Sequence, residues 1–196
     1  MIYVESKKKS LKTLLSKYPN AKIIDVTSKA EEPWVKVSPF YPHGGIPVPY
    51  SPNCFAMSVE GVWQGLKVFK EEGIDVSKFE VADMKGLKRT VRKFGIPLGH
   101  QKGLHSKDLI NYITARKEIY LKTYAWVLDH KINDVLQLLK AEAYKQDVVL
   151  LDYNTNEDIY NPKKPLSHAA IVKKYLEKKY PDLKTIEFGT LKLFAE

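Results

Sequence analysis

The sequence has a single cysteine, Cys54, and no long apolar run. One cysteine excludes an internal disulfide and fits a reducing compartment. No stretch approaches the roughly 20 apolar residues that cross a bilayer. The first nine residues, which include Lys7, Lys8 and Lys9, lack the apolar core of a secretory signal. We therefore expect a cytoplasmic protein that has no membrane partner.

The usual signatures of metal sites and of common hydrolases are also missing. The five histidines show no zinc-ligand spacing, and Cys54 has no cysteine partner. The Gly-x-Ser-x-Gly motif of a nucleophile elbow is absent. The glycine-rich segment 95–103 lacks the Gly-Lys-Ser/Thr ending of a phosphate-binding loop. We predict neither a metal site nor a cofactor.

The net charge of +9 predicts anionic partners. The lysines lie in short clusters interleaved with acids, which weakens the case for specific binding of nucleic acid. A pocket for a phosphorylated small molecule would use the same charge. Nucleic acid stays open as a partner.

At 196 residues and 44% hydrophobic content, the chain can bury a full core. The patterning predicts a single α+β domain over residues 1–196, helix-rich and with a small sheet. Residues 31–57, with six prolines, are expected to be an ordered irregular loop. Helices are predicted over 10–18, 58–72, 82–93, 107–143 (broken near 130–133) and 167–179, and strands over 3–4, 22–27, 146–152 and 185–194.

The predicted helix 58–72 is the most informative segment. Ser58 stands at the N-cap position, and Gly73 at the terminating position. Glu60, Gln64 and Lys67 follow at helical spacing on one face, where they could grip a small polar ligand. A solvated face with an ordinary ion pair is the alternative. The neighbouring apolar stripe consists of Val59, Val62, Leu66 and Phe69.

A second polar group follows the apolar strand 146–152. Asp152 is the last residue of that strand, and Asn156 lies in the loop after it. Rigid strand ends often carry functional side chains. The alternative is that the Asn, Asp and Thr residues here only form turns and caps.

Several segments resemble signatures of the NADAR (NAD- and ADP-ribose-associated) family. The pattern Ser58-x-Glu60-x-x-x-Gln64-x-x-Lys67 is similar to the family's Ser-x-Glu-His-aromatic-aromatic-Gln-Ala-x-Lys motif. Segment 39–42 (Pro-Phe-Tyr-Pro) stands where the family has Asn-Phe-Tyr-Pro, and 88–95 is a loose counterpart of its basic segment. Segment 150–161 is similar to its last motif, with Asp152 and Tyr160 where Glu and Trp are usual. Gly-Val at 61–62 replaces the His-aromatic pair.

The resemblance implies hydrolysis of an N-glycosidic bond, in a phosphorylated ribosylamine or an ADP-ribosylated base. Such cleavage passes through an oxocarbenium-like state that a carboxylate stabilises. The roles implied are Glu60 and Asp152 as catalytic carboxylates; Lys67 and Arg89 for phosphate; Gln64 for a ribose hydroxyl or the base; Trp34, Phe40 and Tyr41 for stacking; and Asn156 as a further substrate contact. From its place near a helix N-terminus, the pKa of Glu60 is expected to be low.

Two other functions remain open at this stage. One is a non-catalytic module that binds ADP-ribose or a nucleotide. The other is a basic accessory protein that contacts nucleic acid or a protein partner through its lysine clusters.

Overall fold

The architecture is given by a computed structural model, which describes residues 1–182. The strands are β1 (Ile2–Ser6), β2 (Lys22–Asp25), β3 (Ile46–Pro47), β4 (Phe55–Ala56), β5 (Lys67–Val68), β6 (Gly99–Gln101), β7 (Leu109–Ile110) and β8 (Val148–Asp152). The α-helices are α1 (Leu11–Lys17), α2 (Val59–Gly65), α3 (Val91–Phe94), α4 (Tyr112–Ala115), α5 (Lys122–His130), α6 (Asn133–Lys145) and α7 (His168–Leu176). A π-helical stretch, Arg116–Leu121, joins α4 to α5, and 3-10 turns lie at Trp34–Val37 and Val76–Glu80.

The central sheet has the strand order β1-β8-β2, and both outer strands run parallel to β8. The first three residues of β8 are buried, as expected for the middle strand of a parallel sheet. Because the strands are parallel, their carboxyl ends lie at one edge, where Ser6 pairs with Asp152. The loops that follow β2 and β8 leave the sheet at this edge.

Helix α2 begins where the sequence predicts but ends early. The Ser58 hydroxyl caps it by accepting a hydrogen bond from the Gly61 amide at 2.9 Å. The prediction of helix up to residue 72 is wrong, because the chain after Leu66 forms β5 and pairs with β6. Gly73 is therefore not the terminator. Leu66 and Phe69 are buried nevertheless.

The early end of α2 has a packing cause. A Cβ at Gly65 would lie 2.2 Å from Cε1 of Phe79, so only glycine allows the 3-10 turn at Val76–Glu80 to pack here. The carbonyl of Gly65 also accepts a hydrogen bond from the Asp75 amide at 2.8 Å. Both contacts come from the following segment of chain, which no local pattern reveals.

The second half of the chain follows the prediction more closely. The predicted helix start at residue 107 is wrong, because Leu109–Ile110 forms β7 and pairs with β6. Continuous helix runs over 112–130, the chain breaks at 131–132, and α6 and α7 follow as expected. The predicted helix 82–93 is wrong: only Val91–Phe94 is helical, because Met84 and Gly86 have φ values of 61° and 63°. The predicted strand 185–194 lies outside the described residues.

The protein is a single α+β domain, richer in helix than in strand, as predicted. Helix α2 packs against the π-helical stretch and α5 in the core. No helix within residues 1–182 has the length and apolar character needed to cross a bilayer.

Candidate functional site

A cavity of about 370 Å³ opens at the carboxyl edge of the central sheet. It lies between the loop after β2, the start of α2, the π-helical stretch and the loop after β8. Five side chains predicted from the sequence line it together: Phe40, Glu60, Gln64, Lys67 and Asp152. The structure therefore brings the two predicted carboxylates, the amide, the ammonium and one aromatic ring to a single concave site.

Glu60, Gln64 and Lys67 form a hydrogen-bonded chain in the cavity wall. Nε2 of Gln64 donates to Oε1 of Glu60 at 2.7 Å. Oε1 of Gln64 accepts from Nζ of Lys67 at 2.9 Å and from the backbone N–H of Arg89 at 3.0 Å. These three bonds fix which way the amide faces. Lys67 reaches the site from the start of β5, directly after α2.

Burial sets the protonation behaviour of this chain. It raises the pKa of Glu60, although the hydrogen bond from Gln64 and the charges of Lys67, Lys88 and His168 oppose it. The expected low pKa is wrong, since α2 has only seven residues and its dipole does not offset desolvation. Burial likewise lowers the pKa of Lys67, against the charge of Glu60. The pKa of the Glu60 carboxyl group therefore lies above its ordinary value, a property that carboxyl groups active in proton transfer often have.

Aromatic rings form the other walls of the cavity. Trp63, which the sequence reasoning missed, packs on His100 with ring centroids 3.8 Å apart and ring planes tilted by 35°. Tyr112 and Tyr120 contact the Trp63 ring edge-on at 5.6 and 5.8 Å. Such packing on several sides holds the indole in one orientation.

His100 itself is buried behind Trp63 rather than in the cavity lining. Neither of its ring nitrogens has a hydrogen-bond partner among the described residues. Burial and the nearby charge of Lys67 lower the pKa of His100 to about 3, so the ring is neutral at physiological pH. It therefore acts here as a flat packing surface for the indole.

Lys88 lies at the opposite wall, where it was not predicted. Its Nζ is 5.3 Å from the centroid of the Phe40 ring, and its side chain is exposed. Lys67 approaches the Trp63 ring at 6.0 Å. The cavity thus combines two aromatic walls with two ammonium groups, a set that suits a planar ring carrying a phosphate.

Asp152 and His168 form a buried pair at the base of the cavity. Nδ1 of His168 lies 3.0 Å from Oδ2 of Asp152, and Nε2 lies 2.7 Å from the carbonyl oxygen of Val26. Because both neighbours are acceptors, both ring nitrogens carry a proton. Burial works against either charge. Even so, the His168 charge and hydrogen bond lower the pKa of Asp152 overall, and Asp152 raises that of His168.

The same carboxylate fixes the start of α7. Oδ2 of Asp152 accepts from the Ser167 hydroxyl at 2.7 Å and Oδ1 from the Tyr153 amide at 2.7 Å. Ser167 in turn caps α7 at the Ala170 amide. Both oxygens of Asp152 are therefore committed to protein donors. A role for Asp152 as a second reacting carboxylate finds no support in these contacts.

Arg116 is buried in the cavity wall at the start of the π-helical stretch. Its guanidinium donates to the carbonyl oxygens of Ile159, Asn161 and Lys164 at 2.8–2.9 Å, and to the Tyr112 hydroxyl at 2.9 Å. It thereby holds the loop after β8 against the helix. Distorted π turns of this kind are frequent at functional sites.

Arg89 does not line the cavity. Its guanidinium donates to the carbonyl oxygen of Gly73 at 2.8 Å and lies over the rings of Phe69 and Phe94, at 4.8 and 5.2 Å from their centroids. The proposal that this group holds a phosphate is therefore corrected. Arg89 instead supports the site from outside the cavity: its backbone N–H orients Gln64, and its Nη1 donates to the carbonyl oxygen of Lys67.

Three other predicted residues also lie outside the cavity lining. The Tyr41 hydroxyl donates to Glu32 at 3.0 Å, and Trp34 packs against the core from its 3-10 turn. Asn156 donates to the carbonyl oxygens of Asp158 and Pro165, at 3.2 and 3.3 Å, within its own loop. Stacking by Tyr41 or Trp34 and direct binding by Asn156 are corrected for this reason. The alternative reading of Asn156, as a turn-forming residue, fits its contacts.

The model of a family of unknown function, DUF6939, matches residues 6–172. The chain belongs to this family. The match covers every cavity residue named above, so the site lies within the DUF6939 domain. Comparisons with curated proteins and with solved structures found no match. The resemblance to the NADAR family stays a prediction, because the DUF6939 match carries no activity.

Among residues 1–182, no group of three or more His, Cys, Asp or Glu side chains is arranged to hold a metal ion.

Proposed function

We propose that the protein hydrolyses the N-glycosidic bond of a phosphorylated ribosylamine or of an ADP-ribosylated base. The observation that carries the proposal is the convergence of Glu60, Lys67, Lys88 and the rings of Phe40 and Trp63 on one cavity. The resemblance to the NADAR family, which implied roles for five of the cavity-lining residues, points to the same chemistry.

The substrate classes fit the groups that line the cavity. A planar base can stack on Phe40 or Trp63, a contact worth about 1–3 kcal/mol. A phosphate can be held by Lys67 and Lys88. Gln64 is oriented by Lys67 and Arg89, so its amide nitrogen is directed at Glu60. Glu60 keeps its second oxygen, Oε2, free of hydrogen bonds from the described residues.

Glu60 is the group proposed to move the proton. In the hydrolysis, the C–N bond to the base breaks and a water oxygen bonds to the anomeric carbon. Glu60 takes a proton from that water, and the leaving nitrogen carries away the bonding electron pair. The same proton then passes from Glu60, directly or through water, to the leaving nitrogen, which regenerates the carboxylate. The carboxylate also stabilises the positive charge that develops on the sugar. Its raised pKa makes the ionised group a stronger base towards that water than an ordinary carboxylate.

A non-catalytic module that binds ADP-ribose is the second candidate. The observation in its favour is that Asp152 is fully engaged by Ser167, His168 and Tyr153. One carboxylate rather than two is then left to react. A binding module would use the same aromatic and ammonium groups.

Glu60→Gln separates these two functions. Glutamine has nearly the size of glutamate, so the fold and ligand binding should survive. Turnover should fall about 100- to 1,000-fold, as when one electrostatic stabiliser of a transition state is lost. The assay incubates the protein with ribosylamine phosphates and ADP-ribosylated bases and measures the free base by chromatography. Glu71→Gln, at an exposed position, is the matched control.

Equal rates for wild type and Glu60→Gln would show that Glu60 is not the catalytic carboxylate. If the wild type releases no base but ADP-ribose still raises the melting temperature, the binding module is supported instead. If neither occurs, both functions fail.

A further inference from the structure

Residues 84–107 form a long basic segment without a single acid. Between Met84 and Lys107 there are seven Lys or Arg residues and no Asp or Glu. These seven charges compare with a net charge of +9 for the whole protein. Residues 6–24 also contain six lysines and no acid. Four of those six lysines, however, form ion pairs with Glu5, Asp25 or Glu142. The seven residues are Lys85, Lys88, Arg89, Arg92, Lys93, Lys102 and Lys107.

Several of these seven charged side chains are exposed and have no carboxylate partner among residues 1–182. Lys85, Lys88, Arg92 and Lys93 are exposed, and none of them has a carboxylate within 4.0 Å among residues 1–182. Many other lysines are paired: two of them, for example, share Glu5 at 2.5 and 2.7 Å. The segment therefore presents a concentrated positive field that attracts a polyanion.

Exposed aliphatic side chains accompany the basic ones. Ile96 is 79% exposed and Leu98 is 59% exposed, in the turn that follows α3. Pro97 lies between them. Such side chains contact the sugars and base faces of nucleic acids, and Leu, Ile and Pro are known to insert between base steps.

The basic segment continues directly into the cavity. Lys88 lines it and lies 5.3 Å from the centroid of the Phe40 ring. The next residue, Arg89, donates its backbone N–H to Gln64 in the cavity wall. A ligand bound along the exposed part of the segment would thus have the cavity beside it.

We propose that residues 84–107 form a surface that binds single-stranded nucleic acid, with one base entering the adjacent cavity. The partner must offer a row of negative charges and a planar group. Nucleic acid has both. Anionic lipids have no planar group, and acidic peptides do not carry a planar group at every repeat of the chain. A single strand suits the site because its bases are free to leave the stack. Only the entry of a base rests on the proposed function; the binding of the strand does not.

The test measures binding of fluorescein-labelled oligonucleotides by fluorescence anisotropy at several salt concentrations. The variant changes Lys85, Arg92 and Lys93 to Gln and leaves Lys88 in place, because Lys88 belongs to the cavity. For a single strand, each phosphate contact contributes about 0.7 to the steepness of the plot of log binding constant against log salt concentration. Loss of three contacts should therefore reduce that slope by about 2. The ratio of the wild-type binding constant to that of the variant should then fall about 20-fold between 50 and 200 mM salt.

A triple variant at Lys8, Lys12 and Lys140, all changed to Gln, is the matched control, because these exposed lysines lie outside the segment. It should keep wild-type binding. Equal weakening by both variants would show attraction by overall charge alone and overturn the proposal. So would the absence of oligonucleotide binding by the wild type, or tighter binding to duplex than to single strand.

Vesicles that contain anionic lipid provide a further arm of the test. Preferential binding to vesicles over oligonucleotides would contradict the proposal and assign the surface to a lipid. Hydrolysis of a free ADP-ribosylated base is measured in parallel. It tests the proposed enzymatic activity independently of the proposed nucleic-acid-binding surface. The surface can fail while turnover persists, and turnover can fail while strand binding persists.

Discussion

The buried pair of Asp152 and His168 permits a quantitative prediction. Asp152→Asn removes the charge that compensates the His168 imidazolium, which lies 3.0 Å away in a buried site. Either orientation of the asparagine amide also turns N–H groups towards the donors of Tyr153 or Ser167. Breaking a buried ion pair in this way costs about 3–5 kcal/mol of unfolding free energy. The assay is urea unfolding followed by circular dichroism.

The pH dependence gives the sign of this effect. The pKa of His168 is raised above its ordinary 6.5, so the stabilisation is present below 6.5 and is lost as the pH rises through the higher folded-state pKa. The pKa of Asp152 is lowered below its ordinary 3.8, so the stabilisation is present above 3.8 and is lost as the pH falls through the lower folded-state pKa. The difference between wild type and Asp152→Asn should therefore be largest near pH 5.5 and smaller near pH 9.

A double-mutant cycle isolates the pair itself. Asp152→Asn, His168→Gln and the double variant should give a coupling free energy of at least about 1 kcal/mol at pH 5.5. Asp134→Asn, at an exposed position in the first turn of α6, serves as the control. A coupling close to zero, or a loss of stability that is the same at both pH values, would refute the assignment of a charged pair.

Two further predictions concern the core and the ligand. Leu66→Ala should lower the unfolding free energy by about 2–5 kcal/mol, because Leu66 is fully buried. Leu11→Ala, at an exposed position, should cost little. If urea unfolding gave the two variants similar losses of stability, the prediction would be contradicted. ADP-ribose at 100 times its dissociation constant should stabilise the protein by about 2.7 kcal/mol in thermal unfolding. Plain ribose should do much less and Lys67→Ala should weaken the effect; equal shifts with both ligands would argue against a pocket that binds phosphate.

The local signals in the sequence were sufficient where an element is specified by its own residues. The apolar run before Asp152 predicted β8, and the serine at position 58 predicted the start of α2. The cavity residues on α2 follow from the same helical spacing. Trp63 was also accessible to this reasoning, since it lies three residues after Glu60 and one before Gln64, on the same side of the helix.

Other features depend on contacts between distant segments. The end of α2 is set by Phe79, which packs on Gly65. The place of Arg89 is set by Phe69 and Phe94, which lie on either side in the sequence and draw its guanidinium away from the cavity. From the sequence alone, an arginine beside a lysine suggests a phosphate ligand, because the sequence does not show which aromatic rings pack against its guanidinium. His168 joins the cavity only because α7 docks on the end of β8.

Glu60 shows how one such tertiary effect alters the expected chemistry. Its place in the first turn of α2 favours an ionised carboxylate, but burial raises its pKa. A carboxyl group with a raised folded-state pKa destabilises the fold as the pH rises above its ordinary 4.5. Glu60→Gln should therefore leave the unfolding free energy at neutral pH unchanged or higher while it lowers turnover about 100- to 1,000-fold. A residue kept only for an ion pair with Lys67 would show the opposite, with stability lost on substitution.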